Sequence, residues 1–247
     1  MPDPMHFDRH AELYDRARPP YPAALRTRLA ELGLLVAGHR ALDLGAGSGQ
    51  ATRILIDAGM EVTAVEPGGA LADRLRRLLP EVHILQATAE AVELVPASFD
   101  LATVATAVHW FDLEVVLPKL HTALVPGGRL AVWRNVYGDP SAPPTAFRSR
   151  IAEIAASRDA PPRPGPDESD TARWAALLQA GGYFAAAHAE EFRWSVDLDE
   201  DGVRGLFTTF SDWSPAEAEQ AALAVRELGG SVTEHYLTPL IVLARSE

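Results

Sequence analysis

The stretch ALDLGAGSGQ, residues 41 to 50, puts three glycines into five positions directly after an apolar run that contains an acid. Ala41, Leu42 and Leu44 read as a short strand, and Ala51, Ile54, Leu55 and Ala58 return at helical spacing, so the glycines form a turn between strand and helix. The pattern then recurs. EVTAVE (61–66) has the β-branched content of a second strand, and Leu71, Leu75, Leu78 and Leu79 predict a helix that Pro80 stops. VHILQ (82–86), FDLATVATA (99–107) and RLAVWRN (129–135) read as the next three strands, the last preceded by a turn at Pro126, Gly127 and Gly128. Between the fourth and fifth, Leu113, Val116, Leu117, Leu120 and Leu124 predict a helix with Pro118 as an irregularity.

Strands alternating with helices predict an α/β chain with a doubly wound, mostly parallel sheet. FAAAHAEEFRWSV (184–196) and VTEHYLTPLIVLAR (232–245) add two strands to the five, for seven in all, with helices expected near 199–211 and 215–228. Ser214, Pro215 and Glu217 mark the start of the latter helix. Right-handed crossovers bring the strands' carboxyl ends to one edge, where ligands of such sheets bind. Asp43, Glu66, the residues near Thr88, and His109 should converge there. The proline-rich stretches GDPSAPPT (138–145) and DAPPRPGPDE (159–168) read as loops around a helix-compatible 146–156.

Composition narrows the chemistry. The chain has 247 residues, 47% of them hydrophobic and 23% charged, which suits one large folded domain and argues against disorder. No segment approaches the roughly 18 consecutive apolar residues of a membrane span, and MPDPMHFDRHAELYDRARPP lacks the apolar centre of a secretory leader. A cytoplasmic protein without a membrane partner is the expectation. The absence of cysteine removes disulfides, thiolate metal ligands and cysteine nucleophiles, and the eight histidines show no metal-ligand spacing, so no metal is expected. A net charge of −12 disfavours nucleic acid; Arg74, Arg76 and Arg77 read as a solvated helix face.

The loop's ligand is decided by what flanks it. A dinucleotide fingerprint needs G-x-G-x-x-G or A, but the third position here is Gln50 and the remaining glycine comes one place early, at Gly49. No lysine follows, which excludes a phosphate loop of the Walker kind. Glu66 stands about 20 residues beyond the loop, where a carboxylate can accept hydrogen bonds from ribose hydroxyls. Asp43 would meet a pyrophosphate with like charge but would attract an ammonium and a sulfonium. These features favour S-adenosylmethionine over a nicotinamide dinucleotide, with a NAD-binding oxidoreductase left as the alternative.

The same residues resemble a known family, the class I, seven-stranded S-adenosylmethionine-dependent methyltransferases. The resemblance rests on LDLGAGSG, VTAVEP, ATAEAVELVPASFDLATVATAVHWFD and LVPGGRLAVW, and spans roughly residues 7 to 135. It implies a Rossmann-like sheet whose last strand is antiparallel, and a helical cap or insertion. It also implies one domain over 1–247: a cofactor cap at 1–35, a cofactor-binding core at 36–135, a substrate cover with the sixth strand at 136–215, and a last helix and strand at 216–247. By resemblance the cofactor would meet Asp43, Gly45, Ala46, Gly47 and Gly49 at the loop, and Glu66 and Pro67 after the second strand. Thr88, Ala89 and Glu90 would lie at the adenine edge, and Ala105, Thr106 and Ala107 on the methionine side. YDRARPPYP (14–22) is similar to the helix that folds over the cofactor in small-molecule members, with Tyr14 closing the pocket and Arg18 meeting the cofactor carboxylate. His109 in AVHWFD is the candidate general base, or else a pocket wall. The expected partner is a small-molecule methyl acceptor, for a monomer or homodimer. Cyclising or cleaving the cofactor instead is the other use of the same pocket.

Overall fold

The computed structural model describes residues 13, 16–158 and 167–247. Its strands are β1 Arg40–Leu44, β2 Glu61–Val65, β3 His83–Leu85, β4 Phe99–Ala105, β5 Leu124–Trp133, β6 Val136–Tyr137, β7 Phe184–Asp199 and β8 Ser231–Arg245. They form one sheet in the order β3-β2-β1-β4-β5-β8-β6, with β7 paired to β8. The first five are parallel to their neighbours, and β8 lies antiparallel to β5, with Leu130 opposite Leu243 and Val132 opposite Ile241. The eighth strand, absent from the sequence reading, is only the two residues Val136 and Tyr137, too short for any periodicity to show.

Helices α1 Ala23–Glu31, α2 Gln50–Asp57, α3 Gly69–Leu78, α4 Leu113–Ala123, α5 Ala146–Ala156, α6 Thr171–Gln179, α7 Glu200–Thr208 and α8 Pro215–Glu227 complete the described elements, with one 3-10 turn at Val108–Trp110. The start of α8 is a full capping box: the Ser214 hydroxyl accepts from the Glu217 N–H, and the Glu217 carboxylate accepts from the Ser214 N–H. Pro118 lies within α4. The expected turn before the fifth strand is instead part of β5, which starts at Leu124 and absorbs Pro126 to Gly128 through a register irregularity opposite Phe99–Leu101. The fourth strand stops at Ala105, short of the expected Ala107, because Thr106 turns to φ 57°.

The described residues gather into two compact units. The sheet unit comprises 21–135, 167–192 and 238–247; the helical unit comprises 13, 16–20, 136–158 and 193–237. The stretch expected to form one substrate cover, 136–215, is thus divided, with 167–192 counted in the sheet unit and α6 adding a helix that the sequence reading did not assign. Strands β7 and β8 contribute residues to both units.

Each unit has its own core. In the sheet unit the two-residue period of the strands feeds two apolar layers. Leu42, Leu44, Ala102, Val104, Leu130 and Val132 enter one layer, while Ala41, Ala64, Leu101, Ala131 and Trp133 enter the other. Burial on both faces explains why these strands read as nearly continuous apolar runs. The helical unit is built on Phe147, Ile151, Val203, Leu206, Phe207, Ala221 and Val225, which come from α5, α7 and α8.

Candidate functional site

The glycine loop starts where β1 ends. Gly45 and Ala46 both donate their backbone N–H to the Val65 carbonyl at 2.9 and 3.1 Å, which ties the turn to the end of β2. All three glycines have positive φ, at 69°, 57° and 92° for Gly45, Gly47 and Gly49, a region that side chains rarely adopt. Their surroundings separate them. A Cβ on Gly45 would sit 2.5 Å from the Ala107 Cβ, and one on Gly49 would sit 2.5 Å from Leu75 Cδ1, so these two glycines permit contact between neighbouring protein segments. A Cβ on Gly47 would meet nothing within 4 Å. Only at this glycine is the space beside the backbone open.

Glu66, at the end of β2, closes the other side of the loop. One carboxylate oxygen accepts from the Gly47 N–H and the other from the Gly68 N–H, both at 2.8 Å. The side chain is buried, 5% exposed. Each oxygen has a further lone-pair direction, so a ligand hydroxyl can donate to the same carboxylate that holds the loop.

Asp43 has a different role from the one its charge suggested. It is 0% exposed, and its oxygens accept from the Thr52 hydroxyl at 2.6 Å and the Thr103 hydroxyl at 2.8 Å. Burial pushes its carboxyl above the ordinary range, and the two hydroxyl donors pull in the opposite direction. The residue joins β1 to α2 and β4 beneath the loop. The expectation of direct contact between this carboxylate and a cationic ligand is therefore revised: solvent does not reach it, and its donors are protein hydroxyls.

At the end of β4, Thr106 is a β-branched residue held at φ 57°, which marks genuine backbone strain. Its N–H donates to the Trp133 carbonyl at 2.8 Å, and its hydroxyl shares a hydrogen bond with the Tyr21 phenol at 2.9 Å. The Tyr21 ring packs edge-on to Trp133, 5.9 Å between centroids. Tyr21 was missed by the sequence reading, although it stands inside the quoted phrase YDRARPPYP; a lone aromatic beside proline gives no signal of what it touches. Ala105 and Ala107 flank this strained residue.

The remaining candidates fall as follows. Pro67 and Thr88 are exposed, and Ala46 and Ala89 are buried. Thr88 Oγ1 accepts from the Ala91 N–H at 3.2 Å. The Lys119 ammonium donates to the carbonyls of both Ala89 and Glu90, and Glu90 Oε1 accepts from the Asp112 N–H at 3.0 Å, which fixes this loop against α4. His109 is exposed on the 3-10 turn with its ring 5.0 Å from that of Trp110. Arg18 belongs to the helical unit, where Nε donates to Thr209 Oγ1 at 2.8 Å and Nη2 to the Thr209 carbonyl at 3.1 Å. Its guanidinium lies 4.5 Å over the Phe210 ring. Tyr14 lies outside the described residues. Among the described residues no group of three or more His, Cys, Asp or Glu could hold a metal, and no helix is long and apolar enough to cross a membrane.

Loop, acid and strained strand end coincide with a known domain. Residues 42–132, from β1 through β5, match the profile of a family described as a methyltransferase domain. Over that segment the chain is similar to methyltransferase domains. A structure described as a candidate type II methyltransferase from Anaeromyxobacter dehalogenans superimposes on 92% of this chain and 97% of its own, with a TM-score of 0.63 and 27% identity. An uncharacterized methyltransferase of Mycobacterium tuberculosis is 42% identical over 123 residues, 49% of this chain and 49% of that protein. A malonyl-acyl-carrier-protein O-methyltransferase of Enterobacter lignolyticus is 35% identical over 127 residues, 51% of this chain and 47% of that protein. The chain spans about half the length of these two relatives. The loop, Glu66 and the β4 end all lie within the matched segment.

Proposed function

We propose that the protein transfers the methyl group of S-adenosylmethionine to an oxygen, nitrogen or carbon atom of a small molecule. The observation that carries this reading is the pairing of Gly47 with Glu66. An open approach to bare backbone lies beside a buried carboxylate that already holds the loop. A nucleoside with two ribose hydroxyls can donate to the Glu66 carboxylate while its amino-acid arm runs along Gly45–Gly47. Asp43, through Thr52 and Thr103, keeps the loop in the shape that allows this, and the strained Thr106 backbone would border the methionine side.

The cofactor supplies an activated methyl group on a sulfonium, so displacement requires no activation of the leaving group by the protein. The chain's own task is to orient the acceptor and exclude water. The O-methyl transfer named for the Enterobacter relative supports methyl transfer as the reaction. Calorimetric titration with S-adenosylhomocysteine, followed by product analysis of a metabolite mixture incubated with labelled S-adenosylmethionine, tests the reading. A labelled methyl group in a new product is expected; cofactor consumed without any methylated product would establish cyclisation or cleavage in its place.

Two substitutions bear on the roles assigned here. Glu66→Ala removes the acceptor for Gly47, Gly68 and the ribose, and should weaken S-adenosylhomocysteine binding by about 1.5–3 kcal/mol, the scale of a hydrogen bond to a charged group. Unchanged affinity would take Glu66 out of the site. His109→Ala should lower turnover roughly 100-fold with cofactor affinity intact if the imidazole removes the acceptor's proton. A change in acceptor KM alone would make His109 part of the pocket wall.

A further inference from the structure

We propose that the helical unit contains a binding site for a neutral, hydroxyl-bearing aromatic molecule, with Glu234, Tyr137 and Tyr236 as its polar floor and Trp194 and Phe210 at its rim. As a binding site, it stands on the geometry of one unit and does not depend on the methyltransferase reading.

Along β8, Val232, Glu234 and Tyr236 alternate onto the buried side. Glu234 is 0% exposed, yet neither of its carboxylate oxygens has a hydrogen-bond partner. The hydroxyls of Tyr137 and Tyr236 are buried and make no hydrogen bond of ordinary geometry either. The nearest cation, Arg148, has Nη1 3.7 Å from Glu234 Oε2, beyond hydrogen-bond length, and its guanidinium lies 4.6 Å over the Tyr137 ring. None of these four atoms makes a hydrogen bond of ordinary geometry, although the Tyr137 hydroxyl is close enough to Glu234 to draw its carboxyl down against burial, and such a cluster is far from the usual state of a protein interior, where buried polar groups are well paired.

The borders of the cluster are aromatic and partly exposed. Trp194 stacks on Tyr236 with centroids 4.8 Å apart and rings inclined by 20°, and Tyr137 lies 5.5 Å from Phe210 and 5.7 Å from Tyr236. Trp194, Phe210, Tyr137 and Arg148 are all of intermediate exposure, whereas Glu234 and Tyr236 are buried. Charge then selects the ligand. A carboxylate would meet Glu234, and an ammonium would meet Arg148 together with Arg18 over Phe210. A neutral hydroxyl fits both demands, because it donates to the carboxylate and accepts from a tyrosine phenol. A flat ring carrying that hydroxyl adds stacking at the rim.

Phenol is the probe, with benzoate and benzylamine as the charged comparisons, read by quenching of tryptophan fluorescence in the full-length protein. Trp194→Phe should remove most of the response and so locate it. At pH 8, where Glu234 is ionised, saturable phenol binding is expected, weaker by about tenfold or more in Glu234→Gln and reduced in Tyr236→Phe, with both charged analogues bound much less tightly. Phenol that fails to bind, that binds Glu234→Gln as well as wild type, or that is matched by benzoate would overturn the site. Parallel titration with S-adenosylhomocysteine keeps the two readings apart. Protein that takes phenol but not the nucleoside overturns the methyltransferase reading, whereas protein that takes the nucleoside but not phenol overturns this one.

Discussion

Gly49→Ala is expected to destabilise the protein by about 2–5 kcal/mol, the sum of a strained positive φ and an overpacked contact. Gly49 caps α2 at φ 92°, and its missing Cβ leaves room for Leu75 Cδ1, which would otherwise lie at 2.5 Å, and for Leu79 Cδ1 at 3.2 Å. Both leucines are buried in the layer that also holds Ala51 and Leu55, so α2 and α3 would have to separate. For a chain of this size the loss corresponds to a fall in Tm of roughly 5–15 °C. Adding Leu75→Ala should recover part of the steric cost, making the double variant less destabilised than the sum of the two singles. Gly47→Ala provides the contrast. It carries only the backbone cost, because nothing lies within 4 Å of its Cβ position, yet it should weaken S-adenosylhomocysteine binding by filling the open space. Stability of Gly49→Ala within about 0.5 kcal/mol of wild type, the range of ordinary surface changes, would contradict this account.

Glu234→Gln is expected to stabilise the protein, and only above about pH 4.5, with the gain growing until about pH 7. Burial raises the Glu234 carboxyl from near 4.5 to about 7, against smaller opposing effects of Arg148 and the Tyr137 hydroxyl. The folded protein therefore favours the protonated form. Its contribution to stability is fully present below about pH 4.5, is lost as the pH rises to about 7, and stays lost above that. Glutamine keeps the shape and the neutrality of the protonated acid. The variant should match wild type near pH 4 and exceed it by about 2–3 kcal/mol at pH 8, measured by denaturant unfolding at both pH values. An equal difference at both would show that Glu234 is not carrying a buried charge. Stability gained together with a loss of phenol binding is the signature of a residue retained for recognition in spite of its cost to the fold.

The parallel half of the sheet was legible because its signals are local. A strand that must be apolar on both faces, a tight turn that only glycine can make, and a leucine period on the covering helix each leave a short-range trace, and β1 to β4 with α2 to α4 fall close to where those traces put them, whereas β5 begins five residues early. Glu66 was legible for the same reason, since its distance from the loop follows from one strand, one turn and one helix. Asp43 was read by charge alone. Its hydroxyl partners lie 9 and 60 residues away in sequence, and the latter separation is set by the crossover that pairs β1 with β4. Tyr21 and Thr106 are 85 residues apart, so neither the contact nor the strained backbone could be inferred from either neighbourhood. Glu234 did leave a trace: an acid at a buried position of an alternating strand breaks the rule that buries its neighbours, and such a break marks a place where function competes with packing. The aromatic residues around it were visible individually, but their grouping depends on how β7, β8 and α7 meet within the helical unit.

Strand β8 crosses from one core to the other without interruption, with residues 231–237 counted in the helical unit and 238–245 in the sheet unit. Its backbone amides therefore form a gauge, one continuous row of reporters attached to two different bodies. In native-state hydrogen exchange, separate opening of the helical unit would leave a step in protection between Leu237 and Thr238, and joint unfolding would leave none. A single strand, followed amide by amide, can thus tell whether ligands offered to one core steady the other.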